Sequence, residues 1–238
     1  MKAIFSLFFL LCLSSTAFAA AIQSGPQQVS LIELYSSEGC SSCPPADEWM
    51  NSLKKDKGLW KEFVPVAFHV DYWDYLGWKD PYASPEFSQR QRRYADSWGS
   101  GTVYTPGFVV NGKESRDWAL PPSNKNITGL LSITRGPEHE LKTVYQPAGK
   151  LEGDAGPWEV HVAMLKSGLR SDVKRGENAG RLLSHDFVVT DYAVQSMRSE
   201  AGAWTAERKP EDDNADAVAV WVTHRGDEIP IQAAGGEI

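Results

Sequence analysis

Two cysteines separated by two residues are the feature that most constrains this chain. Cys40 and Cys43 follow an apolar run over residues 29–35 and precede a helix-like segment over residues 46–57. Side chains three positions apart on a helical turn lie about 5–6 Å apart, so a disulfide between them opens and closes with little backbone motion. A helix N-terminus stabilises a thiolate and lowers its pKa. We therefore predict that Cys40 is the cysteine that attacks the substrate. Cys43, one turn further into the helix, is predicted to resolve the mixed disulfide that forms.

The first residues are typical of an export signal. Lys2 precedes an apolar stretch over residues 4–13, and Ala17-Phe18-Ala19 follows it. The stretch is shorter than the roughly 20 apolar residues that a membrane span needs. We predict a signal peptide over residues 1–19 with cleavage near Ala19. The mature protein is then expected to be periplasmic or secreted, with no membrane insertion.

Cleavage reduces the three cysteines to two, because Cys12 leaves with the signal. A bridge between Cys40 and Cys43 closes a very small loop and adds little stability, which favours redox chemistry over a structural role. A merely structural bridge and metal binding stay open as alternatives. A structural zinc site needs four ligands, but the two soft thiolates, with His69, suit Cu(I). We predict no cofactor for the redox function.

The string ELYSSEGCSSCPPAD, from Glu33 to Asp47, resembles the active-site region of thioredoxin-like proteins. It is more similar still to a bacterial secreted family, the domain of unknown function 1223 family, whose members are thought to carry a thioredoxin-like domain. The resemblance implies a cis peptide bond between Thr105 and Pro106, facing the cysteines. It also implies that the Thr105 backbone meets an extended substrate.

We expect the fold to be an α/β thioredoxin-like domain over residues 20–136, followed by a β-sandwich-like domain over residues 137–238. The first domain is predicted as β-α-β-α-β-β-α with a helical insertion. Its elements include strands over 29–35 and 63–70, a helix starting at Ser84-Pro85, a hairpin at Asn111-Gly112 and a final helix over 123–134. In the second domain, alternating apolar residues predict short strands without helices.

Three further side chains are candidates for the site. Glu33 either emerges at a sheet edge or pairs with a lysine, or it is a buried carboxylate that accepts the proton lost by Cys43. His69 ends the second strand at the same sheet edge as the cysteines, where it either tunes the thiolate or is a structural histidine. Trp73 belongs to an aromatic run that forms either a packing cluster or a rim for a peptide substrate.

The net charge of −7 argues against nucleic acid or an anionic membrane as a partner. The sequence thus predicts an exported thiol–disulfide oxidoreductase that acts on exported proteins or peptides carrying thiols or disulfides. Two alternatives remain: a periplasmic copper-handling protein that uses the same cysteines, and an interaction module with an inert disulfide.

Overall fold

The computed structural model describes residues 21–149, 157–212 and 214–238, so the predicted signal peptide lies outside the described residues. Two α-helices occur in the described part: α1 (Pro44–Ser52) and α2 (Pro85–Ser97). The strands there are β1 (Ile22–Gln23), β2 (Ser30–Ser36), β3 (Phe63–His69), β4 (Gly107–Val110), β5 (Lys113–Ser115), β6 (Gly129–Arg135), β7 (Leu141–Pro147), β8 (Trp158–Lys166), β9 (Leu169–Asp172), β10 (Leu182–His185), β11 (Val188–Ser196), β12 (Arg198–Glu200), β13 (Ala203–Arg208), β14 (Ala217–His224) and β15 (Gln232–Glu237). None of the described helices is long and apolar enough to cross a membrane.

An eight-stranded mixed sheet in the order β15-β14-β8-β11-β3-β2-β4-β5 forms the centre of the molecule. Strands β2 and β3 are parallel and are joined through α1, which confirms the predicted strand–helix–strand unit. Strands β4 and β5 form the hairpin predicted at Asn111-Gly112, and β4 runs antiparallel to β2. This arrangement places the cysteines just beyond the carboxyl end of β2.

A second sheet, of five strands in the order β1-β6-β7-β13-β12, packs on the C-terminal part of the large sheet. Leu131 and Ile133 from β6 share a buried cluster with Trp158 and Val160 from β8. Every second residue of β6 is buried or nearly so, which is the period of a strand with one covered face. A separate two-stranded hairpin, β9-β10, lies close to α1.

The predicted fold class is wrong. Strands make up 43% and helices only 13% of the structure, which is too little helix for the expected α/β thioredoxin-like domain. The helix expected over residues 123–134 does not form, and residues 129–134 belong instead to strand β6, in which burial alternates at a period of two. The C-terminal strands do not stand apart as a sandwich, since β11 pairs directly with β3 in the large sheet. The domain bounds at residues 19 and 136 stay a prediction.

The two helices cover opposite faces of β2. Ile32 and Leu34 point to the face on which α1 packs, through Ala46 and Met50. Leu31 and Tyr35 point to the other face, where Phe87 and Tyr94 of α2 pack. Helix α2 begins as predicted, because the Ser84 hydroxyl accepts a hydrogen bond from the Glu86 amide and Pro85 occupies the first turn.

Arg90 of α2 is fully buried, although neighbouring Arg92 on the same helix is exposed. Its Nε donates to Glu33 Oε2 at 2.8 Å, and its Nη1 donates to Glu228 Oε2 at 2.7 Å. The guanidinium lies 5.1 Å from the centre of the Trp221 ring and also faces three further aromatic rings. A buried cation of this kind is tolerated because each nitrogen has a partner.

Replacement of Arg90 is expected to destabilise the protein strongly. Arg90→Met leaves Glu33 buried without its counter-charge, which costs about 3–5 kcal/mol of the free energy of unfolding. Arg92→Met is the matched control, because Arg92 is exposed and should change that free energy by less than about 1 kcal/mol. Urea denaturation of both variants measures the difference. Equal losses would show that the buried ion pair contributes nothing specific.

Candidate functional site

Cys40 and Cys43 are joined in a disulfide with a Cα–Cα distance of 5.5 Å. The bond lies between the end of β2 and the start of α1, and both cysteines belong to the interior. Their exposed fractions are 1% and 0%. The sequence placed Cys43 one turn further in than Cys40, but neither cysteine has appreciable contact with solvent.

The start of α1 differs from the expected one. The helix begins at Pro44, with Cys43 as its N-cap residue. Pro44 and Pro45 carry no N–H group, so the first turn offers fewer donors to a thiolate than a helix usually does. The Ser42 hydroxyl lies 3.3 Å from the Cys40 sulfur. Because a hydroxyl can donate a hydrogen bond to a thiolate, Ser42 can supply a donor that the two prolines lack.

The Thr105–Pro106 peptide bond is cis, as the resemblance implied. The Thr105 carbonyl lies 3.5 Å from the Ser42 hydroxyl, which places this loop beside the cysteines. Trp73 connects the two loops, because its Nε1 donates to the Thr105 hydroxyl at 2.8 Å while its Cβ packs on Gly39. A side chain at position 39 would lie 2.8 Å from that Cβ, so the tight contact requires glycine.

A loop from the distant C-terminal half covers the cysteine loop. Asn178, between β9 and β10, donates from its side-chain amide to the carbonyl oxygens of Glu38 at 2.8 Å and Cys40 at 2.9 Å. The Glu177 carboxylate accepts a hydrogen bond of 3.0 Å from the Ser41 amide. These polar contacts, together with Trp73, account for the burial of the disulfide.

Five titratable side chains form a buried cluster next to the disulfide loop. The members are Glu38, Asp47, His69, Asp80 and His185, and each has an exposed fraction of 5% or less. His69 Nδ1 lies 2.7 Å from Asp80 Oδ2, and His185 Nε2 lies 3.2 Å from Glu38 Oε1. The two imidazole rings meet edge to face at 4.8 Å. We call this group the histidine–carboxylate cluster.

Three polar atoms of the cluster have no hydrogen-bond partner among the described residues: Asp47 Oδ2, His69 Nε2 and His185 Nδ1. Asp47 Oδ2 and His185 Nδ1 are 3.8 Å apart. The Asp47 amide donates to the Cys43 carbonyl at 3.1 Å, so the carboxyl belongs to the first turn that Cys43 caps. Buried polar atoms are normally paired, and unpaired ones often mark function.

Burial and neighbouring charges shift the pKa values in the cluster. Burial disfavours the charged form of His69, but the Asp80 carboxylate outweighs it and raises the pKa of His69 to about 9. Burial alone would raise the pKa of Asp80, yet the same pairing lowers it. Desolvation raises the pKa of Asp47, against the opposing effect of both histidines. At neutral pH, His69 is therefore an imidazolium that faces carboxylates.

Glu33 is buried, as one of the two interpretations required, but its contacts lie on the α2 side of the sheet. Its carboxylate accepts hydrogen bonds from Arg90, from Tyr35 at 3.0 Å and from Tyr94 at 2.5 Å. The cysteines lie at the start of α1, which packs on the opposite face. The structure thus brings His69, Trp73, Thr105 and Pro106 to the cysteine region and leaves Glu33 apart from it.

Several site residues had no recognisable signal in the sequence. Glu38 and Asp47 entered the sequence analysis only as members of the string from Glu33 to Asp47. Asn178 and His185 lie about 140 residues from their partners, so no local pattern could have indicated them.

No group of three or more His, Cys, Asp or Glu side chains within the described ranges is arranged to hold a metal ion. His69, the third ligand proposed for copper, directs its Nδ1 to Asp80. The copper interpretation therefore has no supporting observation in the described residues.

These observations define a β-rich protein with a mixed sheet and a covered CxxC disulfide. The family model described as "Protein of unknown function (DUF1223)" matches residues 31–223, and the chain belongs to that family. No curated protein matches the sequence.

Two solved structures are similar to this chain. One is the crystal structure of a protein from Agrobacterium tumefaciens, with 27% identity, a TM-score of 0.65, and coverage of 88% of this chain and 94% of that one. The other is HBP35 of Porphyromonas gingivalis, with 14% identity, a TM-score of 0.58, and coverage of 89% and 76%. The second likeness concerns the fold alone.

The ion pair of His69 and Asp80 predicts a pH dependence of stability. The pKa of His69 is raised from 6.5 to about 9 on folding. Its contribution is therefore complete below about pH 6.5 and is lost as the pH rises through about 9. A shift of this size corresponds to about 3 kcal/mol. The free energy of unfolding, measured in urea from pH 6 to pH 9.5, should fall accordingly.

In the His69→Gln variant, the free energy of unfolding should already be lower at pH 6 and should change little between pH 6 and pH 9.5. His139→Gln, at an exposed position, is the control and should keep the wild-type profile. If His69→Gln showed the same decline as the wild type, another group would be responsible.

Proposed function

We propose that this protein is an exported thiol–disulfide oxidoreductase that uses Cys40 and Cys43. The observation that carries the proposal is the juxtaposition of the disulfide with the histidine–carboxylate cluster. A disulfide that only stabilised the fold would have no need of buried acid–base groups beside it. The export signal predicted over residues 1–19 supports an extracytoplasmic location, where the substrates would be exported proteins or peptides with thiols or disulfides.

The exchange begins when a substrate thiolate attacks the Cys40 sulfur. The bond between the two cysteines breaks, Cys43 leaves as a thiolate, and a mixed disulfide joins Cys40 to the substrate. A second substrate thiol then attacks the substrate sulfur of that bond, which gives a substrate disulfide and releases Cys40 as a thiolate. The same steps in reverse reduce a substrate disulfide.

Two side chains near the disulfide are suited to stabilise or protonate the Cys40 and Cys43 thiolates that form in these steps. The Ser42 hydroxyl, 3.3 Å from the Cys40 sulfur, can donate to the Cys40 thiolate. Asp47 is the candidate that exchanges the proton of Cys43, because it lies in the helical turn that Cys43 caps, desolvation raises the pKa of its carboxyl, and its Oδ2 has no hydrogen-bond partner among the described residues. Asp47 thus takes the role that the sequence analysis considered for Glu33.

One observation favours a second candidate, an interaction module with an inert disulfide. Both sulfurs are inaccessible, and the loop that covers them is held by hydrogen bonds from Asn178 and to Glu177. The redox proposal therefore includes opening of this cover, whereas the inert alternative does not. Two experiments distinguish the candidates.

The first experiment traps the mixed disulfide. Cys43→Ser removes the resolving thiol, so covalent adducts with exported proteins should accumulate and should disappear on addition of reductant. Cys40→Ser is the matched control and should form none. Non-reducing gels of both variants, expressed with the export signal, show the adducts. Equal trapping by the two variants would refute the assignment of the nucleophile, and no trapping by either would favour the inert disulfide.

The second experiment tests the cover. Asn178→Ala removes both hydrogen bonds to the cysteine loop, each of which contributes about 1 kcal/mol, together with one from Arg181 within the covering loop. A cover weakened by 1–2 kcal/mol opens about 5–30 times more often, so dithiothreitol should reduce the disulfide faster by that factor. Asn214→Ala, at an exposed position, should leave the rate unchanged. If Asn178→Ala had no effect, access to the sulfurs would not depend on this loop.

A further inference from the structure

A second feature of interest lies in the large sheet, where β3 and β11 separate. These parallel strands pair at a single position, Val188 with Ala67. Beyond it, β3 continues with a different neighbour, because His69 pairs with Ala83 and the Ser84 amide donates to the His69 carbonyl at 3.1 Å. Strand β11 follows β8 instead and bulges between Val189 and Asp191.

The separation opens a groove of about 660 Å³, which we call the β11 groove. One wall is the extended segment before α2, and the other is β11 over residues 189–193, with Arg208 and Glu211 at the rim. The volume lies in the range of about 300–1,000 Å³ that is usual for binding sites.

The wall formed by β11 is a strand edge. Strand β8 pairs with β11 as far as Ser196, and no other strand of the described part pairs with residues 189–196. In a ladder, half of the backbone N–H and C=O groups of such a strand point away from its one partner. Residues 189–193 line the groove, so this part of the edge is accessible to a ligand.

The charge around the β11 groove is unbalanced. Both carboxylate oxygens of Asp191 have partners within the protein: one binds Arg208, and the other accepts a hydrogen bond of 2.8 Å from the Glu211 amide. The carboxylates of Glu86 and Glu211 have no ion-pair partner among the described residues. Desolvation raises the pKa of Glu86, and Arg93 and Arg208 offset only part of that effect from a distance. A cation bound in direct contact would offset more of it.

We propose that the β11 groove binds an extended segment of another polypeptide that carries Lys or Arg. The segment adds to the free edge of β11 as a further strand, and its cationic side chains meet Glu86 and Glu211. This surface is separate from the disulfide, and the proposal does not rest on the redox function. Backbone pairing supplies the affinity, and the two carboxylates supply the preference for basic sequences.

The test uses the full protein and a synthetic basic hexapeptide, acetyl-Lys-Val-Lys-Val-Lys-Val-amide, with a fluorescent label. We expect saturable binding by fluorescence polarisation and slower hydrogen exchange at the amides of residues 190–196. Two isomers of the peptide, N-methylated at the odd or the even positions, probe the backbone contacts. Only one of them should bind, because strand addition uses the N–H groups on one edge of the ligand.

The charge preference is tested with variants of the protein and of the peptide. The Glu86→Gln/Glu211→Gln double variant should bind the basic peptide roughly tenfold more weakly. Glu48→Gln, at an exposed position on α1, should bind it as the wild type does. A peptide with Glu in place of Lys should bind far more weakly. The proposal is overturned by absence of binding, by protection outside residues 190–196, by equal binding of both N-methylated isomers, or by equal binding of the acidic peptide.

Discussion

The buried Arg90 guanidinium holds together parts of the chain that are far apart in sequence. It binds Glu33 on β2 and Glu228 near the C-terminus, and its Nη1 also donates to the Tyr192 hydroxyl of β11 at 3.1 Å. A cation without water requires all of these partners at once. The N-terminal strands, α2 and the C-terminal strands are therefore fixed relative to one another by one ionic centre.

Local patterns predicted local elements well. The β2–α1–β3 unit, the start of α2 at Ser84 and the hairpin at Asn111-Gly112 each follow from the period of apolar residues or from turn chemistry. Residues 123–134 were predicted as a helix, but residues 129–134 lie in β6, in which burial alternates from one residue to the next. The joining of β11 to β3 could not be predicted, because strand pairing between distant segments depends on side-chain packing that no local pattern records.

The site likewise combines residues that a local motif identifies with residues that only contacts between distant segments bring in. The motif identified Cys40 and Cys43, and the resemblance gave the cis peptide at Pro106. The surroundings that decide the chemistry came from elsewhere: Asp80 holds His69, and Asn178 covers the cysteine loop. A motif therefore names the reacting atoms, whereas the tertiary fold determines their protonation and their access to solvent.

The long sequence separation between the cysteine loop and its cover has a consequence for how the protein matures. Glu38 and Cys40 are made early in synthesis, and Asn178 and His185 follow about 140 residues later. Until the β9-β10 hairpin has been added, the cysteines lack the contacts that bury them. The nascent chain thus passes through a period in which both thiols are open to oxidants and to other thiols. Completion of the large sheet ends that period and encloses whichever oxidation state has formed.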